Sequence, residues 1–290
     1  MFPSAPVPDM SHLAATLTAV RFIEDHLQDD IKVVDVADAV HFSLFYFCRI
    51  FNQTAHHAPY DYLMRRRLTE AALLLTQSGR RITDVAFAFR FGSLEAFSRA
   101  FKRMFGCLPS QWQKEGSPHS RRLMNPLTSD HLTHRANVRV IPPSGAERPA
   151  FSVMGLATLL PAGETAVAAL WPLLDRHIPD PHCRQPAFAV TDFSPNGAPT
   201  FSMAAVTCSD PSCVPPPLVS RWLPAAAYAG FATANNATAR RLTADYIYQT
   251  WLPQSRFALA HPLEIARFET RSQAEDPAAA VMIYVPICAS

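Results

Sequence analysis

Apolar positions recur at three- and four-residue intervals through the first third of this chain and gather in short β-type runs through its second half. Phe97, Ala100, Phe101 and Met104 fall on one side of a helix, as do Phe47, Ile50 and Phe51. Between them Leu68, Ala71, Ala72 and Leu75 repeat the same interval, which at 3.6 residues per turn gathers side chains on one face. A single proline, Pro59, lies between Phe22 and Leu108, and proline breaks helix interiors, so this segment is expected to be nearly all helix. Residues 116–135 turn polar, with Ser117, Pro118, Ser120, Pro126 and Ser129 among Arg and His, and read as a linker. Beyond them proline recurs every few residues. β-type runs at 138–141, 151–160, 188–190, 201–206 and 281–285 alternate with helical stretches at 166–177 and 239–251. The expected division is a helical domain over 12–115, a linker over 116–136 and an α+β domain over 137–290.

Two segments of the helical part share a layout. In residues 82–112, Thr83 is a candidate cap for a short helix carrying Val85, Ala86 and Phe89, and Ser93 for the helix that follows. With Phe97 and Phe101 turned inward, Leu94, Glu95, Ser98, Arg99 and Lys102 are left outward. Such a face offers short polar groups near the helix start and cations along its flank, as a helix entering a major groove requires. Gly106 supplies a left-handed stop, and Pro109 opens a last short turn near Trp112. In residues 33–62, a helix around Val36, Ala37 and Val40 leads to Ser43, a candidate cap for a helix that turns Phe45, Cys48 and Arg49 outward. The long helix between, over 60–77, is placed to brace both; its Arg65–Arg67 run reads equally as a solvated face or as a phosphate clamp.

This tandem arrangement, with RRLTEAALLL on the linking helix and FSRAFKRMFGCLPSQW at its end, resembles the DNA-binding domain of the AraC/XylS transcription regulators. The resemblance implies two recognition helices in successive major grooves of double-stranded DNA. Phe45, Cys48 and Arg49 would face one half of the site, and Leu94, Glu95, Ser98 and Arg99 the other. RNA polymerase is a further partner that this family's role brings in. Two positions depart from the pattern: Arg90 stands where the second turn usually has glycine, and His56 where glycine usually follows the first recognition helix. A phosphate contact by Arg90 would offset part of that penalty.

In the second half, a strand, a helix and two strands can be read over 151–206, and the same order again over 226–285, so that two units would pair about a pseudo-twofold axis around a cleft. The stretches VRVIPPS, YAGF, DYIYQTWLPQS, HPLEI and IYVPI resemble the GyrI-like effector-binding domains. That likeness implies a cleft glutamate, here Glu264, among aromatic rings, for which Trp171, Tyr228, Tyr246, Trp251 and Tyr284 are the candidates. A carboxylate among apolar groups is costly to ionise and favours a cationic partner, and aromatic faces add to the attraction. The ligand expected is a small, mainly apolar effector, neutral or cationic, bound as in multidrug-binding domains. Ala266 departs from the aromatic residue usual two positions after the glutamate. The fold class is thus an all-α tandem helix-turn-helix domain followed by a pseudo-twofold α+β GyrI-like domain of duplicated strand-helix-strand-strand units. Two further readings stand beside ligand-controlled regulation. One is hydrolysis of reactive natural products by Glu264 with Tyr228 or Tyr246; the other is sequestration of a drug or protein.

Bulk properties narrow little. The 290 residues suffice for two cores, and a net charge of +2 leaves any nucleic-acid affinity to local clusters of Arg and Lys. The absence of a long apolar run or of a basic, then apolar, leader makes the cytoplasm the expected location, with no membrane partner. Six cysteines without a C-x-x-C pair read as reduced thiols. His177, His182, Cys183, Cys208 and Cys213 match no zinc spacing, and no phosphate loop, nucleophile elbow or dinucleotide fingerprint occurs, so neither metal nor cofactor is expected and the chain is not read as an enzyme.

Overall fold

The computed structural model describes residues 10–115, 120–142, 148–159, 164–178, 186–194 and 197–289. By contact the chain forms two units. Unit 1 comprises residues 1–137 with 245–254, and unit 2 comprises 138–244 with 255–290.

Unit 1 is helical. Its elements are α1 (Met10–Asp25), α2 (Val33–Ala39), α3 (Leu44–Ala55), α4 (Pro59–Ser78), α5 (Ile82–Ala88), α6 (Leu94–Phe105), α7 (Pro109–Glu115) and α8 (Ser129–Asn137). The apolar stripes meet in one core. Phe47 and Phe51 from α3, Leu68, Ala71, Ala72 and Leu75 from α4, and Phe97, Phe101 and Phe105 from α6 are buried together with Trp112. The aromatic rings pack at tilted angles, with Phe101 and Phe105 ring centres 4.6 Å apart and Phe105 4.7 Å from Trp112, while Phe101 meets Trp112 edge to face at 5.6 Å. The Trp112 indole donates to the Ala72 carbonyl and the Thr76 hydroxyl, both at 3.0 Å, which fixes α7 to α4.

The helix ends correct two of the expected caps. Ser93 caps α6, accepting from the Ala96 N–H at 3.1 Å. Ser43 stands at the N-cap of α3 but its side chain makes no capping bond. The helix α5 starts one residue before Thr83, behind Arg81 as N-cap, so Thr83 lies within it. The polar stretch read as a linker is largely part of unit 1. Its Ser117 and Pro118 lie outside the described residues, but Met124, Leu127, His131, Leu132 and Arg135 are buried, and residues 129–137 form α8. Polar composition hid this, because the apolar anchors are few and Arg135 is buried through hydrogen bonds.

Unit 2 is built on one sheet. Its strands are β1 (Arg139–Ile141), β2 (Phe151–Leu159), β3 (Ala187–Phe193), β4 (Pro199–Thr207), β5 (Val219–Leu223), β6 (Ala227–Ala234), β7 (Phe257–Leu259), β8 (Leu263–Phe268) and β9 (Ala280–Ala289). They lie in the order β1-β6-β9-β8-β3-β4-β2-β5, with β7 beside β9, and every pairing is antiparallel. The strand β5 carries too little apolar alternation to be read from sequence. Gly155 of β2 lies so close to the Ala204 carbonyl of β4 that a Cβ would overlap it, so only glycine permits this pairing. The helix α9 (Glu164–Leu174) packs on β4 and β2. The helix α10 (Ala237–Tyr246) continues into a single π turn, Ile247–Trp251, and carries the chain from unit 2 into unit 1.

Candidate nucleic-acid interface and effector cleft

The residues expected to read DNA stand on the outer faces of α3 and α6. On α3, Phe45 is 82% exposed, an unusual position for a bare phenyl ring in a folded protein. Arg49 is exposed and Cys48 half-buried, its thiol pushed up by burial. The Arg49 guanidinium lies 5.2 Å from the Tyr46 ring centre, and the Tyr46 hydroxyl pairs with His12 Nε2 at 2.9 Å, so a chain of contacts from α1 orients this cation. On α6, Glu95, Arg99 and Lys102 are exposed and Leu94 and Ser98 half-buried, while Phe97 and Phe101 of the same helix are fully buried. Bonds from its own backbone N–H and from the Ser93 hydroxyl, then the Arg99 charge, hold the Glu95 carboxyl below the usual carboxylate range.

The turns before both recognition helices rest on a non-glycine residue with positive φ, His41 at 57° and Arg90 at 62°. His56, after α3, adopts φ 53°. Each costs about 1 kcal/mol over glycine. Arg90 recovers part of it inside the protein, since its Nε donates to the Gln28 carbonyl at 2.6 Å. That bond ties down the side chain that the sequence offered for a phosphate. The Arg65–Arg67 run fits neither of its two readings. Arg65 donates to Asp61, buried Arg66 binds Glu24, Glu70 and the Met124 carbonyl, and buried Arg67 binds the carbonyls of Leu27 and Asp29. These cations are cross-braces of unit 1. A cavity of about 400 Å³ beside them, lined by Glu24, Asp25, Asp29, Arg66 and Glu70 among others, is polar, and none of the residues expected to hold an effector lines it.

In unit 2, Glu264 lies half-buried in the middle of the sheet, on β8 opposite Thr191 of β3. Alternation puts Ala266 and Phe268 on its face of the sheet, and Trp171 of α9 stacks edge-on against Phe268 with ring centres 5.7 Å apart. Tyr284 pairs with Ile265, and Tyr228, two residues before Gly230, the partner of Tyr284, shares its side. Both tyrosines therefore stand on the sheet face opposite to Glu264. There they join Phe188, Val190, Met203, Leu263 and Ile265 in a buried cluster. The Tyr228 hydroxyl donates to the Pro224 carbonyl at 2.8 Å, and burial pushes its pKa up to about 12. Tyr246 and Trp251 belong to unit 1. Of the three expected rings within unit 2, Trp171 is thus placed on the Glu264 side of the sheet and the two tyrosines on the other. Among the described residues no three His, Cys, Asp or Glu gather as a metal site; His182 and Cys183 lie outside them. No helix of the described residues is long and apolar enough to cross a membrane.

Residues 36–115 match the family described as a helix-turn-helix domain, and residues 146–287 that of integron-associated effector binding proteins. Over 104 residues the chain is 32% identical to the regulatory protein SoxS of Salmonella typhimurium, a match covering 36% of this chain and 97% of that protein. The chain belongs to the AraC/XylS family. The same AraC-type module gives 35% identity over 104 residues to the uncharacterized HTH-type transcriptional regulator YbfP of Bacillus subtilis, 36% of this chain and 35% of that one. It gives 32% identity over 112 residues to the right origin-binding protein of Escherichia coli, 39% of each chain. The matched region thus spans well under half the length of these two relatives. Beyond the AraC-type module, this chain carries an effector-binding domain of the Cass2 and GyrI-like kind.

Proposed function

We propose that this AraC-type regulator binds double-stranded DNA through α3 and α6 and that a small, mainly apolar molecule held by its effector-binding domain alters that binding. The observation that carries the first part is the division of α6: Phe97, Phe101 and Phe105 are fully buried, while Glu95, Arg99 and Lys102 of the same helix stay in solvent. A helix anchored this firmly presents its outer side chains as a rigid reading head, and α3 repeats the arrangement with Phe45, Cys48 and Arg49. The two heads engage successive major grooves of one duplex, and a chain bound at a promoter meets RNA polymerase there. Because Phe45 and Cys48 are weak hydrogen-bonders, the first head reads thymine methyl groups more than guanine edges.

For the effector, Glu264 supplies the charge partner and Trp171 an aromatic wall on the same side of the sheet. The sheet order also supports a duplicated unit, since β6-β9-β8 and β3-β4-β2 are two three-stranded runs joined at β8 and β3, with α10 following β6 and α9 following β2 in the chain. Glu264 lies on one of the two strands at that junction. Hydrolysis by Glu264 with a tyrosine hydroxyl is the weaker reading, as Tyr228 lies on the other sheet face and its hydroxyl is bonded to the Pro224 carbonyl.

The test begins with selection of a binding duplex from random DNA by the full chain. Affinity is then measured with and without compounds that raise its melting temperature. Arg99→Ala should cost roughly 1–3 kcal/mol of affinity if Arg99 pairs with a guanine. Selection of no sequence, or an Arg99→Ala variant that binds like wild type, would refute the DNA reading. Compounds that bind Glu264→Gln as tightly as wild type would refute the charge-partner role.

A further inference from the structure

We propose that residues Asp245–Gln254 position the first recognition helix for DNA, so that the first head, and not the second, depends on a segment supplied by the effector half of the chain. The proposal rests on the DNA-binding reading above. This segment belongs by contact to unit 1, although the residues before it and after it belong to unit 2. It meets α3 where a helix is least able to satisfy itself. The last four carbonyls of any α-helix have no partner within it, and a glycine in left-handed conformation is the usual way to close that end. Here the closing residue is His56, left-handed at φ 53° without being glycine.

Side chains from Asp245–Gln254 bond the two residues that follow this end, His56 and His57. The Gln254 amide donates to the His56 carbonyl at 2.8 Å. The Tyr246 hydroxyl bonds His56 Nδ1 at 3.2 Å, with the two rings edge to face and 5.6 Å apart. The Thr250 hydroxyl meets His57 Nε2 at 3.1 Å, and its oxygen accepts from the Arg135 guanidinium at 2.9 Å. That guanidinium is buried and also donates to the carbonyl of Ala55, the last residue of α3. His57 Nδ1 faces two groups, the Asp61 carboxylate and the Gln254 amide nitrogen, each at 2.9 Å. With the proton on Nδ1 the ring donates to Asp61, Nε2 accepts from Thr250, and Thr250 accepts from Arg135. On its other side the segment is held by the Asn125 N–H, donating to Gln249 at 3.1 Å, and by the Arg121 guanidinium 4.2 Å from the Tyr248 ring centre. Its backbone makes a π turn over Ile247–Trp251, a form that recurs at functional sites.

Among the described residues, none of these bonds from Asp245–Gln254 reaches the second recognition helix. That helix ends on Gly106 at φ 80°, and the carbonyl of Met104 in its last turn is met by Arg122 of the same half of the chain. The asymmetry makes the first head the point at which a change in the effector unit reaches DNA.

The experiment uses the full chain and the duplex it selects from random DNA, together with two duplexes scrambled in one half-site each. The half-site of the second head is the one whose scrambling ceases to matter in Arg99→Ala. Thr250→Val with Gln254→Ala should weaken binding to the selected duplex about three- to tenfold, as expected for the loss of one or two ordinary hydrogen bonds. The loss should be confined to the first head, so that scrambling its half-site costs the variant less than wild type while scrambling the other costs both alike. Tyr246→Phe, which removes one hydroxyl and leaves the ring, should show the same pattern more weakly and carries the test if the double variant does not fold. Unchanged discrimination at the first half-site in a folded variant, or an equal loss at both, would overturn the proposal. Arg99→Ala binding like wild type would instead overturn the underlying DNA reading.

Discussion

Acidification tests the buried cluster at the end of α3. His57 is 1% exposed, with Asp61 and the Gln254 amide at Nδ1 and the Thr250 hydroxyl at Nε2. Burial first, and the charges of Arg135 and Arg65 after it, lower its pKa to about 4, although Asp61 pulls the other way. In the unfolded chain a histidine titrates near pH 6.5. Between these two values the unfolded chain holds a proton that the fold excludes. The stabilisation is therefore complete above about pH 7 and is lost as the pH falls towards 4. At about pH 5 the unfolded histidine is nearly fully protonated and the folded one hardly at all, which removes about 2 kcal/mol of stability. His56, lowered to about 4 by burial and then by Arg135, acts in the same direction. Urea titrations at about pH 7.5 and 5, read by hydrogen exchange of peptides from α3 and α4, report on unit 1 alone. Wild type should lose at least about 2 kcal/mol between the two conditions, and His57→Gln should lose about 2 kcal/mol less than wild type over the same interval. An equal loss in both proteins would show that His57 is not held neutral by its surroundings.

Three other outcomes follow from local geometry. Ser93→Ala should destabilise the chain by about 1 kcal/mol and Ser43→Ala by much less, because only Ser93 makes a capping bond; equal shifts in a denaturant midpoint would contradict this. Trp112→Phe keeps most of the buried ring but removes the indole bonds to the Ala72 carbonyl and Thr76; the carbonyl keeps the Thr76 hydroxyl as donor, so the cost in the unfolding of unit 1 should be roughly 0.5–1.5 kcal/mol, read from a denaturant midpoint. Lys102→Ala should weaken binding to all DNA sequences alike and reduce the slope of log affinity against log salt by about 1, whereas an unchanged slope would mean that Lys102 touches no phosphate.

The sequence by itself determined the parts of this protein that rest on local chemistry. Helical spacing marked Phe47, Phe51, Phe97 and Phe101 as core, and with that assignment Phe45, Arg49, Arg99 and Lys102 had to face outward, as they do. Gly106 and Ser93 announced the ends of α6 because a left-handed stop and a capping hydroxyl are properties of single residues. Most strands of unit 2 were legible for the same reason, through short apolar runs between prolines.

Whatever depended on a distant partner was settled only by the tertiary structure. No local signal separates a solvated Arg66 or Arg67 from one buried against carboxylates and carbonyls some forty residues away in sequence. Residues 129–137 look like a linker because their burial rests on Arg135 and His131, polar groups that become affordable inside only once Ala55, Thr250 and Asp245 stand beside them. The faces of Glu264 and Tyr284 were undecided for a related reason. Alternation fixes neighbours along one strand, but pairing register fixes which residues of two strands share a side, and register is a contact between segments that the chain itself does not bring together.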